Sequence, residues 1–141
     1  RKARAGSPTT GFAVTDGFNC LLSRAIVVGF PDADRRVTRK TWLPMPPFPG
    51  LAVGLNTPVD AAEHTEWVDI EIVAYNTGSE RIELIVTEDR SASQQPTMSD
   101  AFAYVENVVL PAMMKLGWTV DPVDDSYDRM RTQFTDSERP V

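Results

Sequence analysis

The most regular alternation of apolar and polar residues covers residues 67–87 and is interrupted by one polar turn at 76–79. A period of two residues is that of a β-strand with one buried face. The positions expected in the core are Val68, Ile70, Ile72, Ala74, Ile82, Leu84 and Val86. The positions expected on the other face of the first strand are Trp67, Asp69, Glu71, Val73 and Tyr75. The pattern predicts an antiparallel hairpin of residues 67–75 and 81–87.

Two further strands are predicted nearer the start of the chain. Residues 20–30 are mostly apolar, with Arg24 as the one charge, and end in a β-branched run, which favours a buried strand. Their first half also fits a helical turn capped by Asn19, and periodicity does not separate the two. Residues 36–43 alternate without a clean apolar face: one side carries Arg36, Thr38, Lys40 and Trp42, and the other carries Val37, Arg39, Thr41 and Leu43. That pattern is typical of an edge strand or a partly solvated one.

A helix is predicted after residue 97. Thr97 and Asp100 have the spacing of a capping box, and Gly117 is a stop signal. The apolar positions at helical spacing are Phe102, Val105, Val109, Ala112 and Leu116. Because Pro111 lacks an N–H and its ring clashes with the carbonyl of Asn107, we expect the helix to bend or split near Leu110.

Together these elements predict an α+β fold. An antiparallel sheet of about four or five strands carries a Pro111-kinked C-terminal helix on one face. Residues 1–11 are expected to be a flexible basic arm, residues 12–120 a single α+β domain, and residues 121–141 an acidic surface tail. The proline-rich residues 44–51 begin a long connection that ends near Glu63.

Composition narrows the class of protein. With 141 residues, 42% of them hydrophobic, the chain is an ordinary globular domain. No apolar run approaches the ~18 residues of a membrane span, so we expect a soluble protein with no membrane partner. A single cysteine, Cys20, excludes an internal disulfide framework and a multi-cysteine zinc site, which favours a reducing compartment over secretion.

Charge is distributed unevenly along the chain. Residues 1–40 hold eight of the 14 Lys and Arg but three of the 20 Asp and Glu, a net charge of +5, and the remainder carries −11. Unlike ends steer molecules together head to tail, so the segregation is consistent with assembly. Alternatively, the two halves neutralise each other inside one fold.

Residues 44–51 are the candidate partner-binding segment. Four prolines in six positions stiffen the chain, and a stiff segment loses little entropy when it docks. The candidate anchors are Trp42, Met45, Pro47, Phe48 and Leu51. The alternative is that these side chains fold back and cover the open side of the sheet.

A basic strand is the second candidate. Arg35, Arg36, Arg39 and Lys40 offer phosphate contacts, and the adjacent Trp42 can stack on a base. The competing interpretation is a cross-strand charge match of Arg36 and Lys40 with Asp69 and Glu71.

Catalytic signals are weak. His64 is the only histidine; it shares a strand face with Glu66 and lies near Asp69, but hydrolytic zinc needs three protein ligands. Cys20 lies among apolar neighbours, where a thiol is usually inert. We expect no catalytic residue, no metal and no cofactor.

The sequence therefore favours a non-enzymatic interaction or assembly protein, a small subunit of a larger complex or particle, whose partner is another protein chain or a second copy. Single-stranded nucleic-acid binding by residues 35–42 is the first alternative. A small enzyme with a site around His64 is the second.

Overall fold

The structure, a computed structural model, describes residues 17–29, 33–59 and 62–137. Its strands are β1 (Phe18–Val27), β2 (Asp34–Leu43), β3 (Ala52–Val59), β4 (Ala62–Asn76), β5 (Arg81–Val86) and β6 (Thr119–Val120). Its helices are α1 (Met98–Tyr104), α2 (Leu110–Lys115) and α3 (Asp125–Ser137); a π turn (Val105–Val109) joins the first two, and a 3-10 turn (Ser91–Gln94) precedes them. The fold is α+β, as predicted. The basic arm expected at 1–11 lies outside the described residues.

The sheet is larger and less uniform than the sequence predicted. Its six strands are ordered β3-β4-β5-β1-β2-β6, and β1 and β5 run parallel while the other pairs are antiparallel. The expectation of four or five antiparallel strands is corrected on both counts. The parallel pair forms because β5, the second strand of the predicted hairpin, pairs with the edge of β1 that is not occupied by β2. Residues 19–25 belong to a strand and form no helical turn.

The third strand replaces part of the predicted long connection. Val53 and Leu55 are buried and alternate with exposed Ala52 and Gly54, so the segment has the strand period. Pro58 pairs with Glu63 near the end of this edge strand, where a missing N–H is tolerated.

A β-bulge reverses the faces of β4. The register shifts between Ile70, which pairs with Val86, and Ile72, which pairs with Ile85. Ile70 is 1% exposed and Ile72 is 55% exposed, so the prediction that both lie in the core is wrong for Ile72. One extra residue sends every later side chain to the opposite face, and Val73 packs on the core instead.

The predicted helix forms and is capped as expected. Thr97 Oγ1 accepts a hydrogen bond from the Asp100 N–H at 3.0 Å. Instead of a simple kink at Pro111, the π turn precedes it, and the N–H of Leu110 bonds to the carbonyl of Val105. The wider turn moves the buried face to Leu110 and Met113 and leaves Ala112 exposed, which corrects the predicted stripe.

The segment predicted as an acidic tail contains α3. Tyr127 is fully buried, and its ring meets Phe102 edge-on at 5.2 Å. The Asp124 carboxylate accepts the Tyr127 N–H at 2.8 Å and caps the helix. This aromatic contact packs the first part of α3 against the helix that carries Phe102.

The sheet curls around its core. Arg39 on β2 donates to the carbonyls of Leu116 at 2.6 Å and of Asn56 on β3 at 3.4 Å. These strands lie near opposite ends of the strand order, so the arginine links the two sides of the curl. Within the described ranges, no helix is long and apolar enough to cross a membrane.

Candidate functional site

The proline-rich segment is held at both ends. Leu43 at its start is 7% exposed, and Leu51 at its end packs against the core. The Leu51 N–H donates to the Phe48 carbonyl at 3.1 Å, and Gly50 has φ 95°. Proline followed by a positive-φ glycine is the arrangement of a type II turn. The Gly50 N–H then donates to the Ile70 carbonyl at 2.7 Å, which fastens the turn to β4.

Three of the five predicted anchors face outward. Trp42 is 45% exposed, Met45 43% and Phe48 50%. Pro47 and Leu51 are partly buried, and Leu51 packs against the core. The exposed set therefore consists of the two aromatic side chains and the methionine.

Trp42 lies against the backbone at the start of β1. A Cβ added to Gly17 would lie 2.1 Å from the indole, so position 17 accepts only glycine unless the ring moves. Trp42 pairs with Asn19 across the β1–β2 ladder. This close approach limits the positions that the indole can take.

The four predicted basic residues divide between the two faces of β2. Arg36 and Lys40 share one face, as the alternation predicted, and it is the outer face. Arg35 and Arg39 lie on the core side with Val37. The suggested cross-strand pairing of Arg36 and Lys40 with Asp69 and Glu71 is wrong, because β1 and β5 separate β2 from β4. Arg36 instead contacts Asp34 at 3.7 Å and donates to Ser23 Oγ at 2.8 Å.

Arg35 is part of a partly buried polar cluster that the sequence did not indicate. Its Nη1 lies 2.6 Å from Glu106 Oε2, and the same oxygen accepts the Tyr127 hydroxyl at 2.8 Å. The guanidinium also lies 5.5 Å from the centre of the Tyr127 ring. The pKa of the Tyr127 phenol is raised well above its ordinary value. Burial is the larger cause, and the hydrogen bond to Glu106 is the second.

A second cluster joins the curled sheet to the segment after α2. Arg24 Nη1 lies 3.0 Å from Glu66 Oε2, with side chains 13% and 16% exposed. The other oxygen of Glu66 accepts the Trp118 indole N–H at 2.9 Å. Like the Arg35–Glu106 pair, this ion pair joins the basic first 40 residues to the acidic remainder. Part of the segregated charge is thus neutralised inside the fold.

An open cleft lies on the outer face of β1, β2 and β5. Its volume is about 630 Å³. The residues lining it are Asn19, Cys20, Lys40, Thr41, Trp42, Ser79, Glu80 and Arg81. Sequence reasoning missed Arg81, whose place beside β1 depends on the parallel pairing. The available signal was its position at the start of the predicted strand 81–87, two residues after the predicted turn at 76–79.

The structure does not assemble the residues suggested for catalysis. His64 and Glu66 share one face of β4, but Glu66 is bound to Arg24 and Trp118, and Asp69 lies on the other face. Cys20 is 2% exposed, and burial raises the pKa of its thiol. Across the described part of the chain, no group of three or more His, Cys, Asp and Glu side chains is placed to hold a metal ion.

A scan against protein-family models, a search of curated proteins and a search of solved structures each returned no match.

Proposed function

We propose that this chain is a non-enzymatic interaction protein, a subunit of a larger assembly, that binds a partner protein through residues 42–51. One observation carries the proposal. Trp42, Met45 and Phe48 remain 43–50% exposed on a segment whose two ends are held to the sheet. Large apolar side chains that stay exposed on an anchored segment are typical of a docking site.

The restraint on the segment supports this role. Its four prolines and the turn at 48–51 limit its conformations before binding. Less entropy is then lost on association, so more of the apolar contact energy remains as affinity.

The partner's chemistry follows from the composition of the segment. Residues 44–51 contain no charged side chain. Proline-rich segments of this kind dock in aromatic-lined grooves, where the proline rings and apolar anchors both find contacts. The proposed partner is therefore another protein that presents an apolar, aromatic-lined groove.

The test compares serine variants of two exposed methionines and of Phe48. The affinity-tagged chain is expressed in its native host, copurifying proteins are quantified by mass spectrometry, and any stoichiometric partner is purified for direct titration. Met45→Ser and Phe48→Ser each weaken binding about tenfold or more, because each removes a central apolar anchor. Met114→Ser, which changes a methionine 54% exposed on α2, leaves affinity within twofold.

Equal affinity of the wild type and the three variants for the partner would overturn the proposal. The absence of any stoichiometric partner would overturn it as well. Circular dichroism of each variant confirms that the fold is retained, so that a lost partner reports on the surface.

A further inference from the structure

We infer that the cleft on the outer face of β1, β2 and β5 binds a nucleotide unit, an aromatic base together with its phosphate. This site differs from the predicted basic strand, because two of the four residues suggested there point into the fold. It adjoins the protein-docking segment and shares Trp42 with it.

The register places the main cleft residues side by side. Trp42 on β2 pairs with Asn19 on β1, and Cys20 pairs with Ile82 on β5, so Asn19 also lies beside Arg81. Neighbouring strands are about 4.8 Å apart, which puts the Cα atoms of Trp42 and Arg81 about 10 Å apart across β1. An aromatic ring and a guanidinium thus border the two sides of one cleft.

Two cationic side chains in the cleft, those of Lys40 and Arg81, make no hydrogen bond or ion pair with any described residue. The side chains of Arg35, Arg36 and Arg39 all do. Arg81 is also half-buried. A half-buried guanidinium without an acceptor is suited to an oxyanion, and Lys40 lines the same cleft.

Trp42 supplies a surface on which a base can stack. Its indole is 45% exposed, and its contact with Gly17 limits its movement. Stacking on an aromatic side chain is tolerant of base identity and contributes ~1–3 kcal/mol per base. The Asn19 side chain, between Trp42 and Arg81, offers both a donor and an acceptor to the ligand.

One carboxylate limits the ligand's charge. Glu80 lines the cleft and has φ 54°, an uncommon conformation for a residue other than glycine. Its turn is ordered by Asn76 Oδ1, which accepts from the N–H groups of Gly78 and Ser79 at 2.9 and 3.2 Å. Two cations and one carboxylate suit one phosphate per base better than a polyphosphate.

The nucleotide unit has two possible sources, a free nucleotide or one residue of a single strand. A second cavity of about 770 Å³ shares Lys40 and Arg81 with the cleft and extends to Thr38 and Asn56. A bound strand has room to continue there.

Isothermal titration of the full chain at low salt tests the site with AMP, CMP, inorganic phosphate and a ten-nucleotide single strand. We expect AMP and CMP to bind at least tenfold more tightly than inorganic phosphate, because only they can stack on Trp42. Equal binding of all four, or binding of none, would overturn the inference. A single strand that binds more than tenfold tighter than AMP identifies strand binding, and comparable affinities identify a free nucleotide.

Variants separate the site from general charge effects. Arg81→Ala and Trp42→Ala each weaken nucleotide binding about tenfold, while Arg90→Ala, a change to an exposed arginine paired with Glu88, leaves it within twofold. If the single strand binds, Lys40→Ala lowers the slope of log affinity against log salt by about 0.7, the loss of one phosphate contact. Equal effects of Arg81→Ala and Arg90→Ala would contradict the assigned site.

Discussion

Two ion pairs between partly buried side chains join residues that are far apart in the sequence. Arg35 and Glu106 are 71 positions apart, and Arg24 and Glu66 are 42 apart. Alternation within β2 correctly predicted which residues share a face, because side-chain direction is local. It did not predict that the core-side arginines find acceptors, because those acceptors come from other elements.

The Tyr127 hydroxyl, which donates to the Glu106 of the Arg35 ion pair, makes the unfolding free energy depend on pH. Replacing it with phenylalanine removes the hydroxyl that donates to Glu106 and costs about 1–2 kcal/mol of unfolding free energy at neutral pH. Above pH about 10 the unfolded chain releases the phenol proton while the folded chain, with its raised pKa, keeps it. The wild type therefore loses part of its advantage over Tyr127→Phe as pH rises.

Urea unfolding of both proteins from pH 7 to pH 11 measures that difference. The stability gap narrows above pH about 10 if Tyr127 is buried as described. A gap that stays constant over the whole range would show that the phenol titrates alike in both states.

At the scale of elements, the local pattern of apolar residues identified the hairpin, the helix and its cap. It did not identify the β-bulge or the π turn, each of which inserts one extra residue. The bulge in β4 is hidden because Ile70 and Ile72 both fit the strand period. The π turn cannot be seen in the sequence for the same reason: Ala112 fits the helical spacing of the predicted apolar stripe although it is exposed. In both cases pairing or packing with other elements decides which residue is buried.

The bulge predicts unequal effects of two similar substitutions. Ile70→Ala leaves a cavity in the core and costs about 2–5 kcal/mol, whereas Ile72→Ala changes a side chain that is 55% exposed and costs under about 1 kcal/mol. Chemical denaturation of the two variants provides the comparison. Similar costs would mean that the strand period continues through residue 71 without a bulge.

The apolar spacing that predicts helix α3 is present in the sequence, but the acidic composition of the segment obscured it. Tyr127, Met130 and Phe134 recur at helical spacing within an acidic segment. The net acidity of the segment favoured a surface tail, yet the aromatic contact with Phe102 brings Tyr127 into the core. A few large apolar side chains at the right period outweigh the average polarity of their surroundings.

For the whole molecule, the α+β class followed from the order of elements along the chain, but the strand order did not. The parallel β1–β5 pair is formed between segments about 60 residues apart. It also creates the cleft, because it brings Arg81 beside Asn19, on the other side of β1 from Trp42. The sequence therefore indicated Trp42 and Lys40 as candidate contacts but missed Arg81.

We propose that residues 42–51 face a partner protein. Photo-crosslinking in the native host tests this, with benzoylphenylalanine placed at Phe48 in one variant and at Met114 in another. Phe48 is 50% exposed on the anchored segment, and Met114 is 54% exposed on α2. We predict one dominant crosslinked protein from position 48 and none of that protein from position 114. Equal yields from both positions, or a crosslink from position 48 to its own chain alone, would contradict the account.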